Sequence, residues 1–210
     1  MIAKDVDICI TTYNRNDRLL QILHILSRQT NQHFNLIVND DGSTQTIDPN
    51  QFPIITKYIW NKDQGYNRVG RFNESILLCV SPKIILLDDD CIPCHEHFIT
   101  EHLKALEKAD FSKGTVIFPD GATANSWFST ANIGLNRSVL HPYGLFYPDY
   151  NGHYGYEDMD LGNEIQQQGL SVVNNPAAAC NTGSQMYLNG DRSPAVIGRN
   201  WALYKQRWNK

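Results

Sequence analysis

Residues 83–90 read Lys-Ile-Ile-Leu-Leu-Asp-Asp-Asp, an apolar run that stops in three adjacent carboxylates. The Ile84–Leu87 run has no helical spacing, with Ser81-Pro82 before it and Cys91-Ile92-Pro93 after, and it predicts a short buried strand. Asp88, Asp89 and Asp90 then fall where that strand ends. In an open parallel sheet, ligands bind in the crevice beyond the carboxyl ends of the strands. Three neighbouring carboxylates repel one another unless a cation is close. Hard oxygen donors suit Mg²⁺ or Mn²⁺, which commonly leave their remaining positions to phosphate and water. The competing reading is an acidic turn in solvent, the ordinary fate of a charge run, but such a turn has no need of a fully apolar strand in front of it.

A strand followed by a polar loop recurs upstream. Val6-Asp7-Ile8-Cys9-Ile10 predicts a strand that empties into Thr11-Thr12-Tyr13-Asn14-Arg15-Asn16. Leu19, Leu20, Ile22, Leu23, Ile25 and Leu26 then recur at helical spacing behind a cap at Asn16 or Asp17. Phe34-Asn35-Leu36-Ile37-Val38 predicts a second strand ending in Asn39-Asp40-Asp41-Gly42-Ser43-Thr44, where Gly42 suits a tight turn. A third strand, Lys57-Tyr58-Ile59-Trp60, runs through a polar stretch into a helix over 71–80. Strands alternating with helices indicate βαβ units and a parallel sheet. Beyond the acids the pattern predicts a helix over 95–109, strands over 114–119 and 126–135, and an irregular loop over 144–155. A helix over 157–168 stopped by Gly169, a strand over 171–173, and a C-terminal helix from residue 200 docked by Trp201, Leu203, Tyr204 and Trp208 complete the reading. The fold class is α/β, with a mostly parallel central sheet flanked by helices.

With 210 residues, 41% hydrophobic and 19% charged, the chain has a globular composition and enough length for one sizeable core. A formal net charge of −4 offers no basic face, so no nucleic acid is expected as a partner and any phosphate must be bound locally. No transmembrane segment is expected, because no stretch reaches the roughly 18 apolar residues of a membrane span. Met1-Ile2-Ala3-Lys4-Asp5 lacks the apolar region of a secretory signal. The expectation is a cytoplasmic chain, soluble or peripherally membrane-associated. Five cysteines, an odd number, point to reduced thiols. Cys91 and Cys94 form a CxxC, yet His95 and His97 beside them complete no zinc pattern.

Four stretches carry the chemistry: Ile10-Thr11-Thr12-Tyr13-Asn14-Arg15, Asp40-Asp41-Gly42-Ser43, Leu87-Asp88-Asp89-Asp90-Cys91-Ile92-Pro93, and Gly155-Tyr156-Glu157-Asp158-Met159-Asp160-Leu161 with Gly169 closing the helix. Each alone is a common loop sequence. In this order and spacing, over residues 6 to about 175, they resemble the GT-A glycosyltransferases, most closely the large family 2 of inverting, metal-dependent, nucleotide-sugar enzymes. The resemblance implies a GT-A (Rossmann-like) fold in one domain over 1–210, with a nucleotide-binding half (about 1–94) and a smaller acceptor-side, catalytic half (about 95–210). It implies a UDP-sugar donor, Mn²⁺ or Mg²⁺ as cofactor, and a glycan or glycoconjugate acceptor. Family catalytic domains are often fused to others, so this chain can be one domain of a larger protein.

Position by position, the resemblance puts Tyr13 and Asn14 in the nucleoside pocket, with Thr11 near the base. Asp41 would accept the imide N–H of uracil, as a carboxylate can. Asp88 would hold the ribose or a metal-bound water, Asp90 would ligate the metal, and Asp89 takes the variable middle position. Asn132 would face the donor sugar. Asp158 is assigned as general base, with Glu157 as the alternative or as the holder of a sugar hydroxyl. Read without the resemblance, those two acids simply suit a helix N-terminus. Trp127, His153 and Tyr154 are lesser candidates for sugar contact, each also readable as core or surface. Two departures from the family pattern stand out. The arginine of Gly70-Arg71-Phe72-Asn73 is shifted by one place, which leaves Arg71 or Arg68 to approach the nucleotide, and residues 174–181 hold no histidine for the metal. A sugar-phosphate nucleotidyltransferase would carry a Gly-rich loop where Thr11 to Asn16 has no glycine. A binding module without turnover would make Asp158 dispensable.

Overall fold

Beta-rich, fully apolar segments alternate with amphipathic ones, and the chain folds accordingly. In the computed structural model, which describes residues 4–123, 129–183 and 194–208, the first half runs β1 (Val6–Thr12), α1 (Asn16–Leu26), β2 (Phe34–Asp40), β3 (Lys57–Trp60), α2 (Arg68–Leu77) and β4 (Lys83–Asp88). The second half runs β5 (Cys91–Pro93), α3 (Phe98–Ala105), β6 (Phe111–Ile117), β7 (Asn132–Asn136), α4 (Glu157–Gln167), β8 (Val172–Thr182) and α5 (Pro194–Trp208). One sheet results, ordered β3-β2-β1-β4-β7-β6-β8-β5. Its first four strands are mutually parallel, β6 and β8 are parallel, and β7 and β5 run against their neighbours.

The sheet has a core on each face, set by the period-two alternation of strands. Ile85 and Leu87 of β4 join Ile8, Ile10, Leu36 and Val38 against Leu19, Leu23 and Leu26 of α1 and Phe98 of α3. Ile84 and Leu86 face the other way, to Cys9, Ile37, Ile133 and Leu135, under Phe72 and Ile76 of α2 and Leu161 and Ile165 of α4. Each such fully buried aliphatic side chain contributes roughly 1.5–3 kcal/mol. Asp7, buried in β1, is satisfied by the backbone N–H of Val80 (2.6 Å) and Ser81 (2.8 Å), the Ser81 hydroxyl and the Asn35 amide. It thereby pins the turn that leads into β4.

Several expected boundaries move. The helix expected over 71–80 begins at Arg68, and the one expected over 95–109 shrinks to Phe98–Ala105. Before it, His95 binds the Ala177 carbonyl (2.6 Å) and Thr30 binds the Glu96 carbonyl, so this stretch serves as a connector between elements. The strand expected at 114–119 is β6, beginning at Phe111, and the one expected at 126–135 is observed only as Asn132–Asn136, with residues 124–128, Trp127 among them, outside the described residues. The short strand expected at 171–173 extends to Thr182, because β8 pairs with both β6 and β5. A register shift opposite Gly114 and Thr115 lets Pro176 sit in that strand, where a regular ladder would reject it. All five cysteines are free; Cys9 and Cys79 face each other at 3.4 Å in the interior. No helix among the described residues is long and apolar enough to cross a membrane.

Candidate active site

The polar loops after β1, β2 and β4 meet the start of α4 at one edge of the sheet. Asp40 organises the turn after β2: its Oδ1 accepts the N–H of Gly42 (3.0 Å) and Ser43 (2.7 Å), and its Oδ2 accepts the Tyr58 hydroxyl (2.6 Å). Gly42 has φ +102° and lies against the Asp63 backbone, so no Cβ fits there. Asn14, at φ +52°, sews the first loop to this turn, donating its N–H to Ser43 Oγ (2.8 Å) and accepting from the Thr44 N–H (2.9 Å). Tyr13 is 45% exposed and donates its hydroxyl to Asp63 (2.9 Å). Thr11 sits at the end of β1, in register with Asn39 and Asp88.

Asp40 is thus structural, and Asp41, also buried, turns to α2. Its Oδ1 accepts Arg71 Nε (2.9 Å) and its Oδ2 the Asn67 N–H (2.9 Å). Burial raises its pKa, while Arg71 and the Asn67 N–H pull it back down. Arg71, displaced by one place in the sequence, pairs with Asp41 through Nε and with Glu74 through Nη1 (3.1 Å).

The three acids after β4 separate. Asp89 turns towards β1, accepting Thr12 Oγ1 (2.9 Å) and Arg15 Nη1 (3.0 Å), and burial pushes its carboxyl up to about 6 against the pull of Arg15. Asp90 lies 3.4 Å from Arg15. Asp88 pairs with Arg68 Nη2 at 2.7 Å; burial raises its pKa, and Arg68 opposes the rise. The other arm of Arg68 pairs with Glu157 Oε1 (3.1 Å), and its Nη2 also reaches Thr130 Oγ1 (3.3 Å). Thr130 donates to Asp158 Oδ1 at 2.5 Å. Arg68 is therefore the hub that joins the acid of β4 to the acids of α4, while stacked 4.9 Å over the Phe72 ring. Burial, then the charge of Asp158, push Glu157 up to about 7, and its Oε2 is buried without a partner among the described residues.

The structure brings Thr11, Tyr13, Asn14, Asp41, Arg68, Arg71, Asp88, Asp89, Asp90, Glu157 and Asp158 to one edge. Asn132 is a correction. It is 1% exposed, accepts His102 Nε2 (2.9 Å) and donates to the Ala178 carbonyl (2.9 Å), so its amide locks β7 to α3 and β8 and cannot face a sugar. Its buried partner His102, kept neutral by burial with its pKa pushed down to about 4, completes that network. Sequence reasoning gave no role to Thr130, although it stands two residues before Asn132, where the signal was read. Arg15 stood in the quoted loop motif without a role, and its place beside Asp89 and Asp90 exists only in the fold.

The acids offer hard oxygen donors that suit Mg²⁺ or Mn²⁺. Among the described residues no three ligating side chains converge on one point. Asp88 and Asp90, the carboxylates expected to ligate such an ion, lie beside Arg68 (2.7 Å) and Arg15 (3.4 Å).

A family model described as "Glycosyl transferase family 2" matches residues 7–163. The chain belongs to glycosyl transferase family 2. Validoxylamine A glucosyltransferase of Streptomyces hygroscopicus subsp. limoneus is 33% identical over 89 residues, covering 40% of this family 2 chain and 20% of the relative. Hyaluronan synthase of Pasteurella multocida is 21% identical over 225 residues, covering 78% of this chain and 23% of the synthase. The chain thus spans about a fifth of these relatives. Among solved structures, S. aureus TarS 1–349 in complex with UDP-GlcNAc superposes with a TM-score of 0.73 at 13% identity, over 96% of this chain and 66% of that one. The mannosyltransferase PcManGT of Pyrobaculum calidifontis, in complex with GDP-Man and Mn²⁺, gives 0.65 at 15% identity, over 96% and 60%. At such identities the likeness shows the fold, which is GT-A.

Proposed function

We propose that this chain transfers a hexose from a UDP-sugar to a hydroxyl of a glycan or glycoconjugate, with inversion, Asp158 serving as general base. The observation that carries the reading is the junction at Arg68, which joins Asp88 at the end of β4 to Glu157 and, through Thr130, to Asp158. A leaving diphosphate and an attacking hydroxyl need opposite help within one crevice, and this junction sets a cation and a base side by side. The acceptor oxygen attacks the anomeric carbon from the face opposite the diphosphate. The bond to the phosphate oxygen breaks, its electron pair stays with the nucleotide, and the hydroxyl proton passes to Asp158.

Arg68 and Arg71 supply positive charge on the donor side. Asp88 and Asp90 would hold Mg²⁺ or Mn²⁺, which when bound offsets the charge developing on the diphosphate. Tyr13, Asn14, Thr11 and Asp41 line the nucleoside end. Tyr66 and Tyr154, in edge contact at 5.8 Å and both exposed, flank the acceptor side next to Glu157.

The test is calorimetric titration with UDP, GDP and dTDP, each with Mn²⁺ and with chelator, followed by UDP release from UDP-sugars. UDP should bind selectively and with metal. Asp158→Asn should keep that binding and lose turnover by about a hundredfold or more, the usual worth of a general base. Unchanged turnover would remove Asp158 from its role, and binding without turnover in the wild-type chain would favour a binding module.

A further inference from the structure

The family match ends at residue 163, yet the elements that hold Glu157 and Asp158 in place lie beyond it. Helix α5 packs on the loop that leads into α4. Asn200, fully buried, donates its amide to the carbonyls of Tyr150 (3.2 Å), His153 (2.9 Å) and Gly155 (2.9 Å). Its own Oδ1 has no partner among the described residues. A buried orphan acceptor is costly, and for packing alone a smaller apolar residue would avoid that cost. The loop it grips contains Gly152 and Gly155 at positive φ, and then Tyr156, a non-glycine residue at φ +70° directly before Glu157. The Tyr156 ring is held by Trp201 (5.1 Å) and Tyr204 (5.6 Å) of α5. Asn151 in the same loop accepts Arg199 Nη1 through its carbonyl (3.0 Å) and the Gly70 N–H through its side chain (3.0 Å), which ties α5 to the helix that carries Arg68.

A second grip fixes the rotation of α4. Asp160 Oδ1, buried, accepts Arg207 Nε (2.6 Å), Trp208 Nε1 (2.6 Å) and the Tyr150 hydroxyl (3.0 Å). Arg207 Nη2 also binds Glu164 (2.7 Å), one turn on, and Asn163 donates to the Tyr204 hydroxyl (2.7 Å). Two residues along a helix turn it by about 200°, so holding Asp160 against α5 points Asp158 the opposite way, towards Thr130 and the crevice.

Resting on the glycosyltransferase reading, we infer that α5 belongs to the catalytic apparatus: Asn200 and Arg207 are positioning residues that set the Tyr156 corner and the rotation of α4, and so aim Glu157 and Asp158. Asn200→Ala, Arg207→Ala and Arg207→Lys test it in the full chain, with UDP affinity read by calorimetry and turnover read as UDP release from UDP-glucose and UDP-N-acetylglucosamine. Both alanine variants should bind UDP as the wild type does and lose turnover by about a hundredfold, the scale of a small misplacement of catalytic groups. Arg207→Lys, which keeps a cation beside Asp160 but loses the second arm to Glu164, should recover only part of it. Carbon-13 NMR titration of Glu157 gives a readout independent of activity: its value, about 7 in the wild type, should fall in Asn200→Ala as the corner opens to water. Unchanged turnover and titration would overturn the inference, as would loss of UDP affinity in parallel with turnover, which marks general loosening. If the wild-type chain neither binds UDP nor releases it, the glycosyltransferase reading fails, and the Glu157 titration still decides whether α5 holds the corner.

Discussion

Glu157 shows what burial does to one residue. Its carboxyl titrates near 7 when folded, against 4.5 for an ordinary glutamate, because burial and then Asp158 oppose ionisation more than Arg68 favours it. The folded chain therefore binds this proton more tightly than the unfolded one. The stability it brings is complete below about 4.5 and is lost as pH rises through about 7. Glu157→Gln cannot ionise, so denaturant midpoints at about pH 5 and about pH 8 should differ less than in the wild type. An equal difference would mean that Glu157 stays charged throughout. The same scale shows why neighbouring acids were hard to separate in advance. Asp40 and Asp41 are chemically equivalent in sequence, yet one closes a turn and the other faces Arg71. Asp88 and Asp89 point to opposite sides of a strand end, and which side held Arg68 depended on a helix elsewhere.

At the level of elements, β4 was legible because four apolar residues in succession have nowhere to go but between two covered faces. Strand β8 was legible only at its start, since Pro176-Ala177-Ala178-Ala179 carries no alternation and its pairing there depends on a register shift against β6. Gly114 sits at that shift. A Cβ there would meet the Asn132 amide and the Ala178 carbonyl. Gly114→Ala should therefore cost about 1–3 kcal/mol, the price of overpacking. Gly198, in the interior of α5 with nothing near its Cβ position, makes the contrast: Gly198→Ala should stabilise by about 0.5–1 kcal/mol through lower backbone entropy in the unfolded chain. Thermal midpoints of both variants check the opposite signs. Equal shifts would show that the space around Gly114 relaxes.

Across the whole molecule, β1 and β4 lie in the middle of the sheet with a core on both faces, whereas β3 and β5 are edges. Native-state hydrogen exchange should therefore find the amides of residues 8–10 and 84–87 slowest, with β3 and β5 opening at lower free energy. Faster exchange in β4 than in β3 would contradict the central core. The sequence by itself determined the α/β alternation, the two-faced burial of β4 and the gathering of polar residues at strand ends, because hydrophobic period and turn chemistry are local properties. It also carried the four motifs that place the chain in its family. Only the tertiary structure decided that Arg68 joins Asp88 to Glu157, that Asn132 belongs to the core, and that α5 grips the corner before α4. Each of these depends on which distant segments share a burial site, and the strength of a charge or an amide there is set by the neighbours that exclude water.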